Sequence, residues 1–206
     1  DLASRGYEVV HGDYDEPAGL RAALDGVDRV LVISSEGGNE QRLRQHRAAI
    51  DAAAQAGARL VVYTSAANPS RSSRFEMAGA HEDTEAYLKR SGLAFIILRD
   101  GPCAANNDDF FTRAKETGRL ALPGVAAKVA YVTHTDVAEA AAGALTGRGE
   151  EGRIYELTGP RPSTATSSPR CSRRSPAERS GRASCRQPSS PSFSGSQDCP
   201  KRWYVA

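Results

Sequence analysis

The chain has 206 residues, 39% of them apolar and 25% charged, with a formal charge of only +2. That length suits one full domain and excludes a large multidomain enzyme, while the apolar content excludes disorder throughout. No apolar run approaches the roughly 20 residues of a membrane-spanning helix, and no charged segment followed by an apolar one opens the sequence, so we expect a soluble, cytoplasmic protein without a membrane partner.

The averages conceal two unlike parts. Residues 161–206 hold eight Arg and one Lys against two acids, a net +7, with 12 Ser, 6 Pro and 3 of the 4 Cys; residues 1–160 carry −5 and one cysteine, Cys103. A disulfide framework is therefore excluded from the first part.

The opening, Asp1-Leu2-Ala3-Ser4-Arg5-Gly6, reads as the last turn of a helix ended by glycine, from which we expect an amino-terminal truncation. Residues 7–11 alternate like a strand and lead into the turn Gly12-Asp13-Tyr14-Asp15. A helix follows, with Asp15 as its cap, Pro17 in its first turn, Leu20, Ala23 and Leu24 as its apolar stripe and Gly26 at its end. Val30-Leu31-Val32-Ile33 is a short β-branched run of the kind found in strands covered on both faces, and Ser34 and Ser35 close it.

The same cycle recurs. Asn39 is placed to cap a helix carrying Leu43, Ile50, Ala53 and Ala54, Gly57 ends it, and the strand 60–63 runs into Thr64 and Ser65. A helix over 76–90, then Gly92, precedes a strand over 93–98. A polar helix over 106–117, a short strand over 129–132, an alanine-rich helix over 136–145 capped by Thr135 or Asp136, and a strand over 153–157 complete the pattern. Alternating strands and helices predict an α/β fold, a doubly wound parallel sheet over residues 1–160.

One stretch matches the dinucleotide fingerprint G-x-G-x-x-G, from Gly147 to Gly152. It follows a helix and precedes a strand, the reverse of the required order, and Glu150 and Glu151 would repel a diphosphate, so it reads as a solvated turn. Open parallel sheets bind ligands beyond the carboxyl ends of their strands, which selects Asp13 and Tyr14, Ser34 and Ser35, Thr64 and Ser65, and the Asp100-Gly101-Pro102-Cys103 loop. Each hydroxyl residue alone also suits an ordinary strand end; their repetition at one edge is the signal. Glu82, Asp83 and Glu85 point to different sides of a helix and predict a solvated acidic turn and no metal site.

The ordered set Gly12-Asp13-Tyr14-Asp15, Gly26-Val27-Asp28, Leu31-Val32-Ile33-Ser34-Ser35, Gln45-His46-Arg47, Val62-Tyr63-Thr64-Ser65, His81 with Thr84-Glu85, Ile97-Leu98-Arg99 with Gly101, and Tyr155-Glu156-Leu157 resembles the NmrA-like branch of the atypical short-chain dehydrogenases, most closely its NAD(P)H-dependent quinone oxidoreductases. The resemblance spans residues 1–160. It implies a Rossmann-like domain that binds NADPH or NADH, with Asp13 and Tyr14 beside the adenine, Ser34 and Ser35 beside the riboses, and Thr64, Ser65 and Gly101 near the nicotinamide. His81 falls at the family's histidine position. The family's first βα unit, with its glycine-rich loop and the basic residue after the second strand, is lacking here, and so are the aromatic residues usual around 102–107. Weak cofactor affinity is the consequence expected for these 206 residues.

The resemblance implies hydride transfer to a quinone-like small molecule. The usual Tyr-x-x-x-Lys pair is absent, because Tyr87 is followed at the fourth position by Ser91. A quinone tolerates that loss, since hydride addition leaves a stabilised phenolate that His81 or water can protonate. His81 reads equally as a surface helix histidine. The alternative function is a non-catalytic NADP(H) sensor of the same family, and a homodimer is left open.

Residues 161–206 are too polar and repetitive to bury a core and are expected to be disordered. Out-of-frame translation is the favoured reading, because Arg, Ser, Pro and Cys rise together where the family register ends. A basic arm for nucleic acid and a solvated linker are the lesser readings, and nucleic acid is not expected as a partner.

Overall fold

A computed structural model of the chain describes residues 2–121, 126–162 and 164, and the backbone of 203–205. The apolar runs form the strands β1 (Arg29–Val32), β2 (Leu60–Ala66), β3 (Ala94–Asp100) and β4 (Arg153–Leu157). They lie in the order β4-β3-β2-β1, all parallel, and a short strand β5 (Trp203–Val205) pairs parallel to the other side of β1. Parallel neighbours need crossovers, and helices supply them. These are α1 (Pro17–Ala23), α2 (Asn39–Gln55), α3 (Ala78–Arg90), α4 (Asp108–Thr117) and α5 (His134–Leu145).

Alternation along the strands divides the core in two. Val30, Val32, Val61, Tyr63 and Ile97 face Leu20 of α1, Ile50 and Ala53 of α2 and Leu88 of α3. Leu31, Val62, Ile96 and Leu98 face Ala141, Ala144 and Leu145 of α5. Helices therefore cover both faces, which is the doubly wound α/β arrangement read from the sequence. Among the described residues no helix is long and apolar enough to cross a membrane.

Several local expectations are corrected. Residues 7–11 form no strand; Tyr7, Val9 and Val10 stay exposed, because no described strand lies beside them to accept their ladder hydrogen bonds. Asp15 does not cap α1: its carboxylate reaches α2, accepting from Gln45 (2.8 Å) and Arg44 (3.1 Å), although Pro17 does open the helix. Asn39 is the first residue of α2, after the N-cap Gly38, and its amide donates to the Glu76 carbonyl at 2.6 Å. The cap of α5 is Thr133, in a reciprocal box with Asp136. In place of a strand over 129–132, Val132 makes an isolated parallel bridge to Cys103. Gly147 to Gly152 forms the turn between α5 and β4, with positive φ at both end glycines. The disorder expected of 161–206 falls, apart from 161, 162, 164 and β5, outside the described residues.

Gly159 is held by a close approach. Its N–H donates to the Ala130 carbonyl at 3.2 Å, and a Cβ there would lie 2.1 Å from the Tyr131 carbonyl oxygen. Gly159→Ala must displace backbone, and a loss of about 1–3 kcal/mol is expected in urea unfolding; an unchanged midpoint would contradict this packing.

Candidate functional site

The strand tips converge because the ladder is parallel and in register: Thr64 lies beside Leu98, and Ala66 beside Asp100. Beyond β1, the Ser34 N–H donates to Thr64 Oγ1 at 3.0 Å, and Arg42 of α2 donates to Ser34 Oγ at 2.9 Å. Gly101 follows β3, donating its N–H to the Leu157 carbonyl at 2.8 Å. Ser34, Thr64 and Gly101 thus stand along one edge. Tyr14 joins them through a 3.0 Å hydrogen bond from its hydroxyl to the Ile33 carbonyl.

Other predicted residues are engaged differently. Asp13 is exposed and closes a local turn by accepting from the Asp15 N–H at 2.8 Å. The Ser65 hydroxyl donates to Glu85 at 2.8 Å. Gly101 leaves no room for a side chain, since a Cβ would meet the Leu157 carbonyl at 2.9 Å; packing alone therefore demands glycine. Glu85 is not a solvated acid. It is 2% exposed and receives two 2.8 Å bonds from Arg99, whereas Glu82 and Asp83 hold Arg71 at the surface. No group of three or more His, Cys, Asp or Glu residues is placed to hold a metal among the described residues.

His81 is buried, 6% exposed, and belongs to a network that the sequence reading missed. The Ser35 N–H donates to His46 Nε2 at 3.0 Å, with the Ser35 hydroxyl 3.4 Å from the same atom. A backbone N–H only donates, so Nε2 of His46 is bare and Nδ1 carries the ring proton. His46 Nδ1 lies 2.9 Å from Thr84 Oγ1, whose own hydrogen goes to the Ala80 carbonyl at 2.7 Å. It also lies 3.3 Å from the Tyr63 hydroxyl, which is 2.9 Å from His81 Nδ1. The Tyr63 hydroxyl thus accepts from His46 Nδ1 and lies against His81 Nδ1. The assignment rests on the partners, as tautomer assignments do.

Electrostatics agree with neutral rings. Burial, with the charges of His81 and Arg42, lowers the pKa of His46 to about 3; burial and Arg42 lower that of His81 to about 4, against a smaller opposing effect of Glu85. Burial raises that of Tyr63. A periodicity argument could have found these groups, because Arg42, Gln45, His46, Ala49 and Ala53 share the buried face of α2.

Asp100, selected above with the loop after the strand, belongs to the strand itself. It ends β3, its Oδ1 is buried without a hydrogen-bond partner, and burial raises its pKa to about 7. Ser and Thr hydroxyls and one carboxyl oxygen without a hydrogen-bond partner thus gather at a single sheet edge.

Known proteins are similar to this chain over most of its length. A family model described as NAD(P)H-binding matches residues 1–148. Quinone oxidoreductase 2 of Escherichia coli is 37% identical over 158 residues, covering 77% of this chain and 54% of the relative. An NmrA-like family domain-containing oxidoreductase of Aspergillus flavus is 34% identical over 160 residues, covering 75% and 52%. The crystal structure of the NADPH-dependent quinone oxidoreductase of Escherichia coli complexed with NADPH aligns with a TM-score of 0.70 at 36% identity, over 80% of this chain and 58% of that one. The chain spans about half the length of the curated relatives it matches. With a parallel sheet wound on both faces, strand tips gathered at one edge and a family match across most of its length, this chain belongs to the NAD(P)H-binding family.

Proposed function

We propose that the chain is the dinucleotide-binding part of an NAD(P)H-dependent oxidoreductase that reduces a quinone-like small molecule. The observation that carries this reading is the hydrogen-bonded edge of Ser34, Thr64 and Arg42 with the neutral His81 network behind it. A nicotinamide bound there supplies the hydride. Ser34, Ser35 and Thr64 would hold the nucleotide hydroxyls and carboxamide, Tyr14 would line the same edge, and Gly101 keeps the turn after β3 close to β4. His81 would give a proton to the oxyanion that hydride addition leaves.

Addition of NADPH and a benzoquinone, followed at the nicotinamide absorbance, tests the reading. Oxidation of NADPH that depends on both supports it. Tight NADPH binding with no oxidation for any quinone would favour the non-catalytic sensor. For these 206 residues, isothermal titration is expected to show affinity weaker than micromolar, because among the described residues no G-x-G-x-x-G loop joins a strand to a helix to receive the diphosphate. A micromolar dissociation constant would overturn that expectation.

A further inference from the structure

Among the described residues one arginine is buried: Arg42, 9% exposed on the inner face of α2. No carboxylate of a described residue pairs with it, whereas Arg29, Arg44, Arg59, Arg71, Arg99 and Arg153 each hold an acid. A guanidinium keeps its proton at neutral pH, so the cost of taking its charge out of water stands until an anion arrives.

The head of Arg42 is fixed at the ligand edge. Its Nε donates to the Gly37 carbonyl at 2.8 Å and its Nη1 to Ser34 Oγ at 2.9 Å. The remaining nitrogen, Nη2, has no acceptor among the described residues. It is not one of the fully buried polar atoms without a partner, which are Gln45 Oε1 and Asp100 Oδ1, so it opens to solvent beside Ser34. Gly38 has open space where a side chain would stand, which leaves room for approach. Behind the guanidinium lie His46, His81 and Tyr63, on which its charge acts and which are all uncharged at neutral pH. Glu40 lies on another side of α2, lining a cavity with Arg44 and Arg47, and Glu36 is exposed, where water screens it.

A fixed cation with one open donor suits the oxygen of a phosphoryl group. Resting on the reading of this edge as a nicotinamide nucleotide site, we propose that Arg42 Nη2 binds a phosphate oxygen of the dinucleotide. Ser34 is assigned a nucleotide hydroxyl, and each ribose of a dinucleotide carries a phosphate on its 5′ carbon, so a cation touching Ser34 lies within one sugar of a phosphate. Two positions share this chemistry, the diphosphate of NADH and NADPH and the 2′-phosphate of NADPH alone.

Two measurements on the full chain test the site. In nitrogen spectra of arginine-labelled protein, the Arg42 Nε–H signal, identified by its loss in Arg42→Lys, is expected to shift when inorganic pyrophosphate is added. A signal that pyrophosphate leaves in place would overturn the proposal, and this arm needs no variant to fold. In binding titrations, Arg42→Gln is expected to weaken NADPH binding about 10-fold and Arg42→Lys less, while binding of reduced nicotinamide riboside, which has no phosphate, is unchanged. An equal loss for NADH assigns the contact to the diphosphate, and a loss confined to NADPH assigns it to the 2′-phosphate. NADPH bound equally by the parent and Arg42→Gln, or a riboside loss as large as the NADPH loss, would overturn the proposal. No oxidation of NADPH by benzoquinone would defeat the oxidoreductase reading, while the pyrophosphate titration still judges Arg42.

Discussion

Glu85→Ala is expected to remove about 3–5 kcal/mol of unfolding free energy, measured as a fall in the urea midpoint at constant slope. The carboxylate is 2% exposed and is held by a two-pronged contact from Arg99, by Ser65 and by Lys89 at 3.3 Å. Burial pushes its pKa upward, yet the bonds from Arg99 and Ser65 and the charges of Arg99 and Lys89 outweigh burial and leave it below the ordinary value. Truncation strands the Arg99 guanidinium beside the sheet, with Glu156 at 2.9 Å as its remaining partner. Glu85→Gln keeps a polar acceptor for Ser65 but loses the charge, so it should fall between the parent and the alanine variant. An alanine variant within about 1 kcal/mol of the parent would show that the cluster behaves like exposed surface pairs.

Acid should destabilise the protein well before general unfolding of carboxylate pairs. His46 and His81 have folded pKa values near 3 and 4, below the 6.5 of a free histidine. Between pH 6.5 and 4 the unfolded chain therefore binds more protons at these rings than the folded one, and stability falls as the pH is lowered. The two rings together account for a loss on the order of 5 kcal/mol from pH 7 to pH 4. Asp100 acts in the opposite sense. Its folded pKa of about 7 lies above the usual 3.8, so the folded state holds the extra proton between these values and gains as the pH falls. Partial contact with water limits that gain to about 1–2 kcal/mol. Urea midpoints measured from pH 4 to 8 are expected to rise steeply to about pH 6.5 and then level. Asp100→Asn should steepen the acid limb and raise stability at pH 8. A flat profile between pH 4 and 6.5 would mean that the imidazoles are accessible to water.

Elements whose residues are buried on both sides were legible as text. The runs at 30–33, 60–63 and 93–98 are apolar and β-branched, and they became the centre of the sheet. The alternation at 7–11 misled because a strand exists only with a neighbour, and neighbours are not written locally. Caps failed for a related reason: Asp15 and Asn39 are good local cap residues, but each finds a stronger partner on another element, Gln45 in one case and the Glu76 carbonyl in the other. Strand-tip hydroxyls were legible through the rule for open sheets. His46 and Tyr63 were visible only as members of a family pattern, because their significance depends on α2, β2 and α3 meeting, a distance of 17 residues between the first two and 18 between Tyr63 and His81. Asp100 looked like loop text because its carboxyl is unusual only in what it fails to touch.

The wholly parallel ladder also governs how the chain comes into being. None of the described strands can zip onto its predecessor through a tight turn: Arg29 must wait for Leu60, Leu60 for Ala94, and Ile96 for Arg153, while Arg29 also pairs with the far more distant Trp203. Such distant meetings are entropically slow, so a growing chain emerging from a ribosome would carry its most apolar segments uncovered for much of its synthesis, and β5 would arrive after the other four strands.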